Sequence, residues 1–161
     1  IERDPAWPGA VFNATLLVGP DGVLSKYRKV NPWLPWEVHT SPHDLPGNTA
    51  DPFPVTQTPI GAIGCAICYD WLFPEVTRQL AFNGAEVLVI NKFGKLEAEG
   101  RGFCDLIAEA LARGLVVLVG VNGLNRPACE TFACGMAEPV GSDPQVIAGW
   151  ILAQRDKIAA E

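Results

Sequence analysis

No apolar run in the chain approaches the roughly 18 residues that span a bilayer, and the opening residues, IERDPAW, lack the charged-then-apolar pattern of a secretory signal. A soluble, cytoplasmic protein with no membrane partner is the expectation. Basic residues are scarce: 12 Lys and Arg stand against 18 Asp and Glu, for a net charge of -6, and no basic cluster compensates locally. A surface of that sign repels polyanions, so nucleic acid is excluded as an expected partner. The five cysteines are too few and too irregularly spaced for a disulfide framework, and the odd count leaves at least one unpaired. Such usage fits a reducing compartment. The chain shows no internal repeat and no low-complexity tract, and it starts at Ile1 without an initiating Met, so an upstream part is expected to be missing.

What is present suits one ordinary domain over residues 1–161, since 161 residues at 48% hydrophobic supply a core. From Val11 to Val30 the pattern predicts a hairpin: VFNATLLV and VLSKYRKV flank Gly19-Pro20-Asp21-Gly22, the residues a tight turn demands. On the second strand the period of two puts Val23, Ser25, Tyr27 and Lys29 on one face and Leu24, Lys26, Arg28 and Val30 on the other. Lys29 and Arg28 therefore point in opposite directions. Seven prolines between Asn31 and Pro59 forbid a helix or a central strand there. A loop of that length inside a compact domain is usually functional, and this one is a candidate rim or lid.

Beyond the loop, Ile60 to Ile67 reads as a strand softened by Gly61 and Gly64. Phe73-Pro74-Glu75 opens a helix that Gly84 stops, with Leu72, Val76 and Leu80 on or beside one face. Val87-Leu88-Val89-Ile90 reads as a strand buried on both faces, Phe103 to Arg113 as a helix stopped by Gly114, and Leu115 to Val121 as a second apolar strand. Asn125 to Asp143 reads as loop, Val146 to Leu152 as one more strand, and the end as a short polar tail. Strands alternating with helices predict an α/β domain.

The chemistry centres on Gly61–Glu75, GAIGCAICYDWLFPE, where an apolar run breaks at Cys68-Tyr69-Asp70. Most free cysteines are small buried hydrophobes. A thiol where a strand gives way to a helix, however, meets backbone N–H groups free to face a ligand. Cys65 and Cys68 form a C-x-x-C, but an offset of three on a strand points the side chains to opposite faces. No second C-x-x-C exists, and His39 and His43 lie in the proline-rich loop. Metal binding is not expected. Lys29, by default a solvated strand lysine, is followed by an aromatic-rich stretch poor in other charge, and an ammonium near a thiol favours the thiolate and stabilises an oxyanion. Glu37 has the same two readings, solvated loop carboxylate or site member.

Lys26-Tyr27-Arg28-Lys29 followed by Pro32-Trp33 and Glu37, then Pro46-Gly47, Ile67-Cys68-Tyr69-Asp70 with Phe73-Pro74-Glu75, and Gly84-Ala85-Glu86-Val87-Leu88, resembles the nitrilase superfamily of carbon-nitrogen hydrolases. The resemblance runs from about Asn13 to Ile90. It implies an α-β-β-α sandwich, of which this domain would be a part, and no cofactor. It also implies a catalytic set in which Cys68 is the nucleophile, Lys29 stabilises the tetrahedral oxyanion, Glu37 positions substrate or lysine, and the Tyr69 backbone N–H is the other oxyanion donor. The implied substrate is a small amide or nitrile, with the Pro-Trp-x-Pro-x-Glu spacing resembling the amidase branches, and self-association is left open. The family's general-base glutamate belongs to a strand far upstream of the lysine, whereas only 28 residues precede Lys29 and Glu2 stands too close. Turnover by such a chain is expected to be poor, and the alternative is a catalytically incompetent remnant or interaction domain that keeps the fold. The segment Asn91 to Arg101 is atypical for the family.

Overall fold

A computed structural model of the chain describes residues 1–160. The turn residues and β-rich flanks produce the expected hairpin: β1 (Ala14–Gly19) pairs antiparallel with β2 (Gly22–Arg28), Thr15 opposite Tyr27 and Ala14 opposite Arg28, with an irregularity between Leu17 and Val18. The turn end is solvated, with Val18, Val23 and Leu24 exposed, while Tyr27, Lys29 and Val30 at the other end are buried. Alternation alone therefore does not decide burial here; position along the strand does.

The chain forms two compact units, one of Ile1–Thr56 with Gly64–Gly84, the other of Gln57–Ile63 with the chain from Ala85 on. In the first, the segment before the hairpin is tied down by charge. Glu2 exchanges backbone hydrogen bonds with Phe12, and its carboxylate accepts from Arg28 Nε at 2.9 Å and Nη2 at 2.8 Å and from Lys26. The guanidinium also binds Asp4 and lies 4.1 Å from the Phe12 ring centroid. The proline-rich segment contains one 3-10 turn, Pro42–Asp44, and is bound to the hairpin's base: Ser41 Oγ donates to the Val30 carbonyl at 2.7 Å and Thr40 N to the Val11 carbonyl at 2.7 Å. It also holds β3 (Val55–Thr58), which pairs with β4 (Gly61–Gly64) in a two-stranded sheet. The strand predicted to Ile67 thus ends at Gly64.

A second 3-10 turn, Cys68–Leu72, precedes α1 (Pro74–Phe82). Pro74 stands in the first helical turn, where its missing N–H costs nothing, and Gly84 beyond the last turn takes φ +91, which favours a residue without Cβ. Val76, Thr77 and Leu80 are buried, whereas Leu72 is exposed, because it belongs to the tight turn and not to the helical face.

The second unit is built on β5 (Val87–Phe93), the short α2 (Lys95–Ala98), α3 (Cys104–Ala112) and β6 (Val116–Val121). β5 and β6 run parallel, Val87 opposite Val116 and Ile90 opposite Val119, as a strand–helix–strand crossover requires. Leu106, Ile107 and Ala110 of α3 are buried at helical spacing. Val89 is exposed, so β5 is not buried on both faces; with two strands in the sheet there is little to cover it.

Two expectations fail after Gly123. Residues 126–133 form α4 (Arg126–Ala133), started by Pro127, with Phe132 packed 5.7 Å from the Phe93 ring. Val146 to Leu152 lies inside α5 (Pro144–Ala159), not in a strand, and the supposed polar tail is its last turns. Asp143 caps α5 by accepting from Gln145 N and Val146 N, and Pro144 occupies the first turn. Ile147, Trp150 and Ile151 recur at helical spacing against Val87 and Val116, and that burial outweighs the strand leaning of the β-branched Val146 and Ile147.

The mixture of helices and strands is that of the expected α/β class. Among the described residues the strands pair two by two rather than in the broad sheets of a sandwich. No described helix is long and apolar enough to cross a membrane. Glu161, the last residue of the expected domain, lies outside the described residues.

Two stability predictions follow from charge and from backbone geometry. The Arg28 hydrogen bonds hold Glu2 down from 4.5 to about 2, so its contribution to stability is complete above pH 4.5 and disappears as the pH falls towards about 2. The difference in melting temperature between the protein and Glu2→Gln should therefore close over that interval; a difference independent of pH would refute the pairing. Gly102 has φ +63, and a Cβ on it would stand 2.0 Å from Glu97 Oε1, whose buried carboxylate accepts from Gly94 N and Phe103 N. Gly102→Ala should cost about 1–3 kcal/mol from backbone strain, with a further loss from the displaced carboxylate, read as a lower denaturant midpoint.

Candidate active site

The period of two along β2 sends Arg28 to Glu2 and Asp4 and turns Lys29 the other way, as predicted. Lys29 N extends the ladder to the Asn13 carbonyl at 2.8 Å, and its side chain is buried, 1% exposed. An ammonium out of water requires a counter-charge. Glu37 supplies it: Lys29 Nζ stands 2.5 Å from Glu37 Oε2, which also accepts from the Trp33 backbone N at 2.7 Å, while Oε1 accepts from Asn13 Nδ2 at 3.3 Å. The lysine bond first and the Trp33 N–H second hold the Glu37 carboxyl below the usual glutamate range. Glu37 reaches that position because the aromatic loop turns back on itself, with Trp36 N and Glu37 N both donating to the Trp33 carbonyl.

Cys68 stands at the first residue of the 3-10 turn and is exposed, not a buried hydrophobe. Its φ of +49 lies in the left-handed region, unusual for a residue with a side chain. Ile67 and Asp70 close the turn reciprocally: Asp70 N donates to the Ile67 carbonyl at 3.1 Å, and Ile67 N donates to Asp70 Oδ2 at 3.0 Å. Among the described residues neither Cys68 N–H nor Tyr69 N–H meets an acceptor.

The Asp70 carboxylate is fully buried, at 0% exposure, and is satisfied from two directions. Tyr27 Oη donates to Oδ2 at 2.8 Å, and Asn31 donates to Oδ1 from its backbone N at 2.8 Å and its Nδ2 at 3.2 Å. Burial, and then the Asp70 charge, push the Tyr27 hydroxyl well above its ordinary pKa. Trp33 and Tyr69 stand with ring centroids 6.3 Å apart, and Tyr69 meets Phe73 edge-on at 5.3 Å.

Of the four residues singled out in the sequence, Lys29 and Glu37 are in direct contact. Tyr69 reaches the same loop through Trp33. The structure records no hydrogen bond among the described residues from Cys68 Sγ to Lys29 or Glu37; the link runs through Asp70 to Tyr27 and Asn31, two residues on either side of Lys29. Sequence reasoning missed Asp70, Tyr27 and Asn31 as parts of the site. The signal for Asp70 was its place three residues after Ile67, where a carboxylate closes a turn by accepting from the backbone. Cys65 is half-buried, and burial pushes its thiol up. No group of three metal-ligating side chains occurs among the described residues.

Residues 56–150 match the model of a family described as "Protein of unknown function (DUF2478)". Proteins named Formamidase from Bacillus thuringiensis (strain Al Hakam), Bacillus cereus (strain AH820) and Bacillus anthracis are each 38% identical over 92 residues, 55% of this chain and 25% of theirs. The matched part is thus a quarter of the length of those curated relatives.

The ion pair makes a measurable prediction. Removing one partner leaves the buried Lys29 ammonium uncompensated, so Glu37→Ala should cost about 2–3 kcal/mol, at or below the low end for buried pairs because the carboxylate is partly solvated. Denaturant titration reads it, and Lys29→Met in the same background should recover part of the loss.

Proposed function

Starting from a chain that belongs to the family described as "Protein of unknown function (DUF2478)", a description without chemistry, we propose from the site that the protein hydrolyses the carbon-nitrogen bond of a small amide through Cys68. The observation that carries this reading is the turn itself: an exposed thiol held at positive φ beside two backbone N–H groups that meet no acceptor among the described residues. The name Formamidase of relatives similar over part of their length supports amide chemistry, and the resemblance to carbon-nitrogen hydrolases supports the cysteine mechanism.

In this reading the Cys68 sulfur, as thiolate, attacks the amide carbonyl carbon and its electron pair forms the C–S bond. The carbonyl oxygen becomes an oxyanion that receives the Tyr69 N–H and faces the Lys29 ammonium. Collapse of the tetrahedral species breaks the C–N bond, and the nitrogen leaves as ammonia or an amine carrying the proton lost from the thiol. Water then adds to the thioester and returns a proton to sulfur as the carboxylic acid departs. Glu37 holds the Lys29 side chain in place. No residue of this chain is assigned the proton transfers. The site needs no cofactor, and its partner is the small amide.

A second reading, a non-catalytic interaction domain, is favoured by one observation: Leu16, Val18, Val23 and Leu24 all expose large apolar side chains on the hairpin.

Ammonia release from formamide and acetamide tests the proposal. Cys68→Ala should lower kcat by about a thousandfold or more, and Lys29→Met by about 10²–10³-fold. Comparable turnover by Cys68→Ala refutes the mechanism, and absence of turnover on any small amide favours the interaction domain.

A further inference from the structure

We propose that Asp70 is the positioning residue of this site: one buried carboxylate holds Cys68 in its left-handed conformation and sets it in register with the stretch that carries Lys29. The kinetic part rests on the hydrolase reading above; the geometric part does not.

Each carboxylate oxygen has a separate task. Oδ2 takes Ile67 N at 3.0 Å and Tyr27 Oη at 2.8 Å, so it closes the cysteine turn and ties that turn to β2. Oδ1 takes Asn31 N at 2.8 Å and Asn31 Nδ2 at 3.2 Å, fixing the chain immediately after Val30. Tyr27 Oη in turn accepts from Val30 N at 3.3 Å. Tyr27 and Asn31 flank Lys29, so the two chain segments of the proposed chemistry meet on a single buried anion.

Closing the turn has a chemical consequence. Because Ile67 and Asp70 satisfy one another, the residues between them are held with φ of Cys68 at +49 and with their own N–H groups unused. A non-glycine residue stays in that region only when its surroundings over-determine it. Without the carboxylate, Ile67 N–H loses its acceptor, Cys68 is free to relax to negative φ, and the N–H donors move with it. An amide at position 70 cannot substitute, because each oxygen faces two donors and an NH₂ group in either place leaves a backbone N–H unpaired.

The test compares the protein with Asp70→Asn and with the milder Tyr27→Phe, which keeps the carboxylate and the ring but removes one donor. Measured are kcat and KM for amide hydrolysis, and hydrogen exchange at Val30, Asn31, Ile67, Cys68 and Tyr69. Displacement of a nucleophile by about 1 Å costs on the order of 10²-fold, so Asp70→Asn should lower kcat about 10–100-fold and Tyr27→Phe about 3–10-fold, with KM within about threefold for both. With kcat expressed per active site, counted by thiol titration of Cys68 in the folded protein, a purely structural role would lower the active fraction and melting temperature and leave kcat per site unchanged; that outcome, or a rise in KM alone, overturns the proposal. Should the unaltered protein turn over no amide, the hydrolase reading falls by itself, and exchange decides the clamp. Faster exchange confined to Val30, Asn31 and the 67–70 turn supports it; exchange matching the unaltered protein overturns it. If Asp70→Asn does not fold, Tyr27→Phe carries the same readouts.

Discussion

A carboxylate with no access to water, holding four hydrogen bonds from three residues, is the constraint on which the arrangement of the first unit's candidate site depends. Asp70 belongs to the cysteine turn, while its donors Tyr27 and Asn31 lie 43 and 39 residues earlier in the chain. A buried charge is tolerated only where hydrogen bonds replace lost hydration, and these donors do so. The same bonds specify where the turn stands.

Lys29 and Glu37 repeat that logic with opposite sign. The ammonium is buried by the strand that carries it, and the carboxylate is delivered by a loop whose prolines and aromatics leave few other conformations. Charge at this site is thus compensated in two layers, an anion under the Cys68 turn and a cation beside the flanking strand. Arg28, one residue away, faces the N-terminal acids instead, so the period of the strand separates a structural ion cluster from the candidate site.

In the second unit the core is a parallel strand pair, α3 behind it, and the apolar stripe of α5. Of its elements up to Val121, β5, α3 and β6 were legible because their periods are unmixed: a run of β-branched residues, a helical repeat ending in Gly114, and a second such run; the four-residue α2 was not, being too short to show a period. The failures came where signals conflict. VIAGWIL in α5 is β-branched and apolar enough to read as a strand, and its true signal, Asp143-Pro144 followed by Ile147, Trp150 and Ile151, spans a longer window than the run itself. α4 buries no side chain fully and is only eight residues long, so its helical repeat covers little more than two turns between loop-like residues. Val89 shows a different limit, since how many strands cover a residue is not written in its neighbours.

By itself the sequence determined the hairpin, the opposite directions of Arg28 and Lys29, the start and stop of α1 and the order of β5, α3 and β6, because each depends on patterns within a few residues. Tertiary structure alone decided that Lys29 is buried against Glu37, that Cys68 is exposed in a left-handed turn, and that Asp70 joins that turn to Tyr27 and Asn31. The Lys29 pair depends on a loop that returns over eight residues, and the Asp70 junction on groups about forty residues apart meeting in one low-dielectric place, where each charge must find its partner or not be buried at all.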